Sequence, residues 1–267
     1  RQKVAIYKYK YIHNFNIDKK IDPTNFNLIA HAGGEIDSFN YTNSLEAINL
    51  SYKNGFKFIE LDILETSDGH FVASHDWKYW SEITKYEEKL PPSLKDFKQY
   101  KIHGKYTPLT IYDIKKWFKE RPDATLITDK INTPDKFFKI YELKDQLIME
   151  LFDEESIRLA NSLGVQFLIS DIFLYKNLPL NRKLLEKLIL LRQNFRGIAA
   201  SNDIISKHLN FFVEAFEDFS IDIYFYQLSE KKKLKYDQIN FLCNFSNLLK
   251  GGYIEYIDFN KKINCNN

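Results

Sequence analysis

The sequence predicts an α/β fold, a (β/α)8 TIM barrel with a small cap inserted after the second strand. Three observations predict it. Short apolar runs alternate with longer helical patterns, the signal for parallel strands joined by crossover helices. Eight such runs can be counted, and the 267 residues match the length that a barrel of this kind occupies as one unit. No Pro/Gly-rich linker divides the chain, so residues 1–267 read as a single domain with residues 78–108 as the cap, and an open doubly wound sheet is the weaker alternative.

The eight runs are FNLIAH (26–31), KFIELDI (57–63), TLITD (125–129), LIMELF (147–152), QFLISD (166–171), GIAASN (197–202), DIYFYQL (222–228) and GYIEYI (252–257). Between the first two lies TNSLEAINLSYKNG, a helix that Thr42 can cap and after whose last turn Gly55 can follow. The segments DEESIRLANSLG, NRKLLEKLILLRQN and ISKHLNFFVEAFEDF read as further helices.

Composition bounds the function. With 44% hydrophobic and 28% charged residues the chain is expected to be ordered and globular, and no apolar run is long enough to cross a bilayer. A net charge of +2 with interleaved signs offers no electrostatic case for nucleic acid, while a local basic patch could still attract an anionic substrate. Cys243 and Cys265 alone support neither a disulfide framework nor a cysteine zinc site. The start at Arg1 reads either as the product of leader removal or as an excised piece, which leaves cytoplasmic and exported locations both open. Oligomeric state is not legible.

In a barrel of this type polar residues that act on substrate gather at the carboxyl ends of the strands. His31, Glu60, Asp62, Asp129, Glu150, Asp171 and Asn202 fall at or near those ends. On the second strand Phe58, Glu60 and Asp62 share one face and Ile59, Leu61 and Ile63 the other. The apolar face packs on helices, so two carboxylates point into the barrel. Their repulsion and desolvation call for a cation, and oxygen-only ligands indicate a hard ion, Mg2+ or Ca2+. The alternative is pairing with Lys or Arg from a neighbouring strand. His75 shares a face with Phe71 and Ala73 and returns toward the carboxylates, while His31 approaches from the first strand. Two such imidazoles suit acid/base chemistry. His13, His70, His103 and His208 are assigned no role.

The phrases IAHAGG, NSLEAI, FIELDI, TSDG and SHD, in that order within residues 27–77, resemble the glycerophosphodiester phosphodiesterase family. The stretch LTIYDIKKWFKERPDATLITDK is similar to that family's next helix and third strand. The resemblance implies a phosphodiesterase barrel in which His31 and His75 are the acid/base pair and Glu60 and Asp62 bind a divalent cation. It also implies a cap at residues 78–108, where Tyr79, Trp80, Tyr86, Tyr100 and Tyr106 either line a substrate pocket or simply pack a subdomain.

The chain departs from the family at several points. Ala32 stands where an Arg usually follows the first His, and Thr42 where a Glu usually precedes the Asn-Thr phrase. Glu35, after the two glycines, is either a replacement contact to the metal or phosphate site or a surface loop acid. The acid and Lys of the third strand are adjacent, as Asp129 and Lys130, so both cannot point inward from a regular strand. Asp129 is taken as the third metal ligand and Lys130 as the cation facing the phosphate. The expected chemistry is metal-assisted phosphodiester cleavage, by water or through a cyclic phosphate; the rival is a non-catalytic barrel that binds a phosphorylated polymer.

Overall fold

The runs become eight parallel strands: β1 (Asn27–Ala30), β2 (Phe58–Glu65), β3 (Thr125–Asp129), β4 (Leu147–Leu151), β5 (Gln166–Ser170), β6 (Phe195–Ser201), β7 (Ile223–Tyr226) and β8 (Gly251–Ile254). Each pairs with its sequence neighbour, and β8 closes on β1 through the register Gly251↔Asn27 to Ile254↔Ala30. The computed structural model describes residues 20–227, 234–257 and 259–265. Leu228 of the seventh run and His13 lie outside the described residues.

Alternation along the strands divides the core in two. Ile29, Ile127, Ile148, Leu168, Ala199, Tyr224 and Tyr253, with Phe58 against them, fill the barrel interior. The intervening residues, among them Ile59, Leu61, Ile63, Leu126, Met149, Ile169, Ala200 and Phe225, face outward into the larger apolar layer beneath the helices. Gly251 sits at the seam because a Cβ there would lie 2.0 Å from the carbonyl oxygen of Asn27; only a residue without a side chain lets β8 approach β1 that closely.

Local chemistry sets the helix ends and corrects several sequence expectations. Helix α1 (Leu45–Lys53) is capped by Ser44, not Thr42: the Ser44 hydroxyl accepts from the Ala47 amide, while the Thr42 hydroxyl bonds to Ser44. The segment ISKHLNFFVEAFEDF is two helices, Asn202–Lys207 and Leu209–Glu217, broken at His208. Asp171 and Asn202 are the first residues of helices rather than the last of strands.

After β2 the chain makes a short antiparallel return, Phe71–Ala73, and then the insertion. Its helices α2 (Trp77–Thr84) and α3 (Leu94–Gln99) enclose a small core of Val72, Trp80, Tyr86 and Phe97. The chain rejoins the barrel at α4 (Ile111–Lys119), which carries a full capping box between Thr110 and Asp113.

Cys243 and Cys265, for which the sequence offered no disulfide framework, are bonded to each other. Spacing could not show it because the partner is delivered by tertiary structure. The two-residue strand Ile263–Asn264 pairs antiparallel with Lys20–Ile21, which carries Cys265 back to the helix Leu234–Phe245.

Candidate active site

Directly above the apolar filling, each strand contributes one further inward residue, two positions beyond its core residue. That layer is His31, Glu60, Asp129, Glu150, Ser170, Ser201, Tyr226 and Glu255. It is entirely polar, and with Asp62, His75, Lys130 and Tyr41 most of it surrounds a cavity of about 320 Å³ at the carboxyl ends of the strands.

Glu60, Asp62 and Asp129 each place a carboxylate oxygen within 4.8 Å of the others. Glu60 and Asp62 are buried. Oε2 of Glu60 accepts from the Ala32 amide at 2.6 Å, whereas Oε1 is buried without any hydrogen-bond partner. Asp62 is clamped by Asn43, whose amide donates to Oδ2 at 2.9 Å and whose carbonyl oxygen accepts from the Asp62 amide at 3.0 Å. Burial pushes the Glu60 carboxyl well above the usual range, and the charges of Asp62 and Asp129 add to the effect. Burial and Asp129 also raise Asp62, against the opposing pull of His75 and Lys130. Three close oxygens, one of them an orphaned buried acceptor, fit a hard divalent cation such as Mg2+ or Ca2+. This is the one such cluster among the described residues.

The adjacency of Asp129 and Lys130 is resolved by the backbone. The strand ends at Asp129, and Lys130 adopts a left-handed conformation with φ +66°. Its side chain thereby turns across the mouth, Nζ lying 3.3 Å from Asp129 and 3.8 Å from Asp62. Burial would lower its proton affinity, but Asp129 and Asp62 outweigh that and hold it above the ordinary lysine value. Lys130 therefore pairs with Asp129 and Asp62, and among the described residues no Lys, Arg or His forms an ion pair with Glu60.

The loop after β1 explains the Gly-Gly pair. A Cβ on Gly34 (φ +92°) would fall 2.1 Å from the Ser51 hydroxyl, and the turn these glycines make seats the Gly33 carbonyl oxygen on that hydroxyl and the Glu35 amide on the Glu255 carbonyl. Ala32, Asp37, Ser38, Tyr41 and Asn43 all have positive φ. Such strain persists only where surrounding contacts over-determine the chain, and here it aims the Ala32 amide at Glu60 and the Asn43 side chain at Asp62.

The two histidines flank Tyr41, whose ring lies 4.9 Å from each imidazole in edge contact. Nδ1 of His31 meets Glu255 Oε1 at 2.8 Å, and Nδ1 of His75 meets Asp76 Oδ2 at 2.9 Å. A carboxylate can only accept, so each Nδ1 carries the proton and Nε2 is left for chemistry. Asp76 also caps α2 through the Tyr79 amide. Burial would lower the proton affinity of His31; the charge and hydrogen bond of Glu255, helped by Asp62 and Asp129, raise it above the ordinary value.

Two sequence assignments are placed elsewhere. Trp80 is buried, stacked on Phe97 at 5.4 Å, and Glu35 is half-buried after the glycine turn; neither lines the cavity. Tyr86 and Tyr100 pack with Trp80 in the same way. Conversely, Tyr41, Asn43, Ser170, Tyr226, Tyr253 and Glu255 join the site without an assignment from the sequence. Strict two-residue alternation from the core residues identifies Ser170, Tyr226 and Glu255; Tyr41 and Asn43 lie on an irregular loop and leave no periodic signal.

Comparison with known proteins bears on the same region. Residues 32–97 match the Glycerophosphoryl diester phosphodiesterase family. The matched segment runs from the residue after His31 through Glu60, Asp62 and His75 to Phe97, and does not reach Asp129. No curated protein sequence matches the chain. Solved structures share the fold. A glycerophosphoryl diester phosphodiesterase from Parabacteroides distasonis superposes with a TM-score of 0.65 at 12% identity, over 94% of this chain and 87% of that one. A glycerophosphodiester phosphodiesterase from Thermotoga maritima gives 0.61 at 17% identity over 86% and 94%. An Oleispira antarctica phosphodiesterase, in complex with the product sn-glycerol-3-phosphate, gives 0.62 at 15% identity over 87% and 94%.

Proposed function

We propose that the protein is a metal-dependent phosphodiesterase acting on a glycerophosphodiester or a related phosphodiester. The observation that carries this reading is the juxtaposition of the Glu60, Asp62 and Asp129 carboxylates, one oxygen orphaned, with two imidazoles that each keep Nε2 available beside the same cavity. The family match over residues 32–97 and the glycerol phosphate held by the Oleispira barrel support the substrate class.

Glu60, Asp62 and Asp129 would hold the ion, and Asn43 and the Ala32 amide would fix two of those carboxylates in place. The ion, when bound, supplies Lewis acidity toward a non-bridging phosphate oxygen. Lys130 adds a second positive group at the same edge of the mouth, where charge builds on the phosphoryl oxygens. His31, whose protonated form is favoured by Glu255, is suited to give its Nε2 proton to the leaving oxygen, while His75, oriented by Asp76, takes at Nε2 the proton of the attacking water or substrate hydroxyl. Tyr41, in edge contact with both rings, helps to orient them at the cavity.

The test is hydrolysis of a generic phosphodiester with and without chelator, alongside His31→Ala and His75→Ala. Activity that needs the added ion and falls by about 100-fold or more in either variant is the expected result. Turnover indifferent to chelator and to both substitutions contradicts the mechanism, and inactivity over a broad panel of phosphodiesters would favour a binding role instead.

A further inference from the structure

The carboxylate cluster occupies β2 and β3, and the histidines flank it from just after β1 and from just after the antiparallel return Phe71–Ala73. The rest of the wall, from β4 beside Asp129 through the end of β5 to β7, carries groups for which this chemistry has no use: Glu150, Ser170, Asp171 and Tyr226. Glu150 and Asp171 are buried. Glu150 accepts from the Tyr253 hydroxyl, and Asp171 lines the same cavity as Tyr226. Among the described residues no Lys, Arg or His forms an ion pair with either, whereas Lys130 is spent on Asp62 and Asp129. An independent sign of a missing ligand comes from Ser170. It follows the inward-facing Leu168 by two positions, lines the cavity, is only 4% exposed, and its hydroxyl has no hydrogen-bond partner.

We propose that this wall is a subsite for a primary ammonium group on the alcohol portion of the substrate. The proposal rests on the phosphodiesterase reading and narrows it to esters of an amino alcohol. A primary ammonium brings three N–H donors and one positive charge. Glu150, Ser170 and Asp171 offer three acceptors, two of them buried carboxylates with no ion pair among the described residues. The rings of Tyr226 and Tyr253, 6.1 Å apart at 78°, add π faces that favour a cation. A neutral or anionic alcohol leaves both buried carboxylates without an ion-pair partner, which is the stronger source of discrimination.

The test compares two glycerophosphodiesters of equal shape, one carrying a 2-aminoethyl group and the other an n-propyl group. Wild-type enzyme should favour the ammonium ester in kcat/KM by about 10-fold or more, as expected of charge-assisted hydrogen bonds, and Asp171→Asn should collapse that ratio toward one whatever its absolute rate. Ser170→Ala, a milder change, should reduce the ratio without abolishing it. Calorimetry of 2-aminoethyl phosphate against n-propyl phosphate supplies a readout that needs no turnover. If neither ester is cleaved yet the ammonium compound binds about 10-fold tighter, the phosphodiesterase reading fails and the subsite stands. Equal kcat/KM and equal affinity within each pair overturn the subsite, as does a clear preference for a trimethylammonium ethyl ester over the 2-aminoethyl ester, since that group has no N–H to donate.

Discussion

Glu255 shows how a single residue shapes the chemistry of another. It is buried at the end of β8 and holds Nδ1 of His31. Burial, the largest influence on His31, lowers its proton affinity; Glu255 reverses the sign. In Glu255→Gln burial is opposed only by the charges of Asp62 and Asp129, and the alkaline limb of the pH–rate profile, set by loss of the His31 proton, should move to lower pH. An unshifted limb would mean that His31 is not the acid. The same raised affinity stabilises the native state below the unfolded value of 6.5, a contribution that fades as pH rises through the folded value. Glu60 makes the opposite trade. Its charge is buried beside Asp62 and Asp129 with one oxygen unpartnered, so in chelated protein Glu60→Gln should raise stability by about 1 kcal/mol or more, measured by urea unfolding. Strand alternation puts Glu60 and Asp62 on the inward face from the sequence alone, while Asp129 comes from its place at the end of the third run and from the family resemblance. Asn43 and Tyr41 are not legible there, because their placement depends on positive φ in a loop that no periodicity describes.

At the scale of elements, the cap and the helix caps carry the testable consequences. The aromatic residues of the insertion were open to two readings, a substrate pocket or a packed subdomain. Trp80 stacks on Phe97 and is enclosed by Val72 and Tyr86. Trp80→Ala is thus expected to cost about 3–5 kcal/mol, localised to the cap, while Trp80→Phe should leave KM within about twofold; a large rise in KM with unchanged stability would restore the pocket reading. Asp153 caps the helix Glu154–Leu163 by accepting from the Ser156 amide at 2.9 Å, and it also accepts from Asn132 at 2.6 Å. Asp153→Ala should cost about 1–2 kcal/mol. These bonds hold its carboxyl below the ordinary value, the Ser156 amide foremost, so its contribution is present above the unfolded value of 3.8 and disappears as pH falls through the folded one. The helices themselves could be read from apolar spacing, but the break at His208 could not, since Asn202–Lys207 and Leu209–Glu217 continue one apolar pattern across a change of direction.

Across the whole molecule, function and closure sit at opposite ends of the barrel. The polar layer opens at the carboxyl ends of the strands, while the Lys20–Ile21 and Ile263–Asn264 pair and the contact of Phe259 with Phe56, just before β2, secure the other end. The Cys243–Cys265 bond fastens that second end across a separation of 22 residues. Reducing it should lower stability by about 3 kcal/mol with little effect on turnover. The eight strands and their order were legible because barrel closure imposes the same apolar period eight times. The clasp was not, because it joins segments that meet only after the chain has gone round.

The central claim is that Glu60, Asp62 and Asp129 form one divalent-cation site at the mouth of this barrel. Equilibrium binding of Mn2+, a hard ion whose free form is read by electron paramagnetic resonance, tests it most directly. The account predicts one ion bound per chain at the site, displaceable by Mg2+ or Ca2+ and lost in Glu60→Gln and in Asp129→Asn. No saturable binding, or binding that both variants retain, would contradict it.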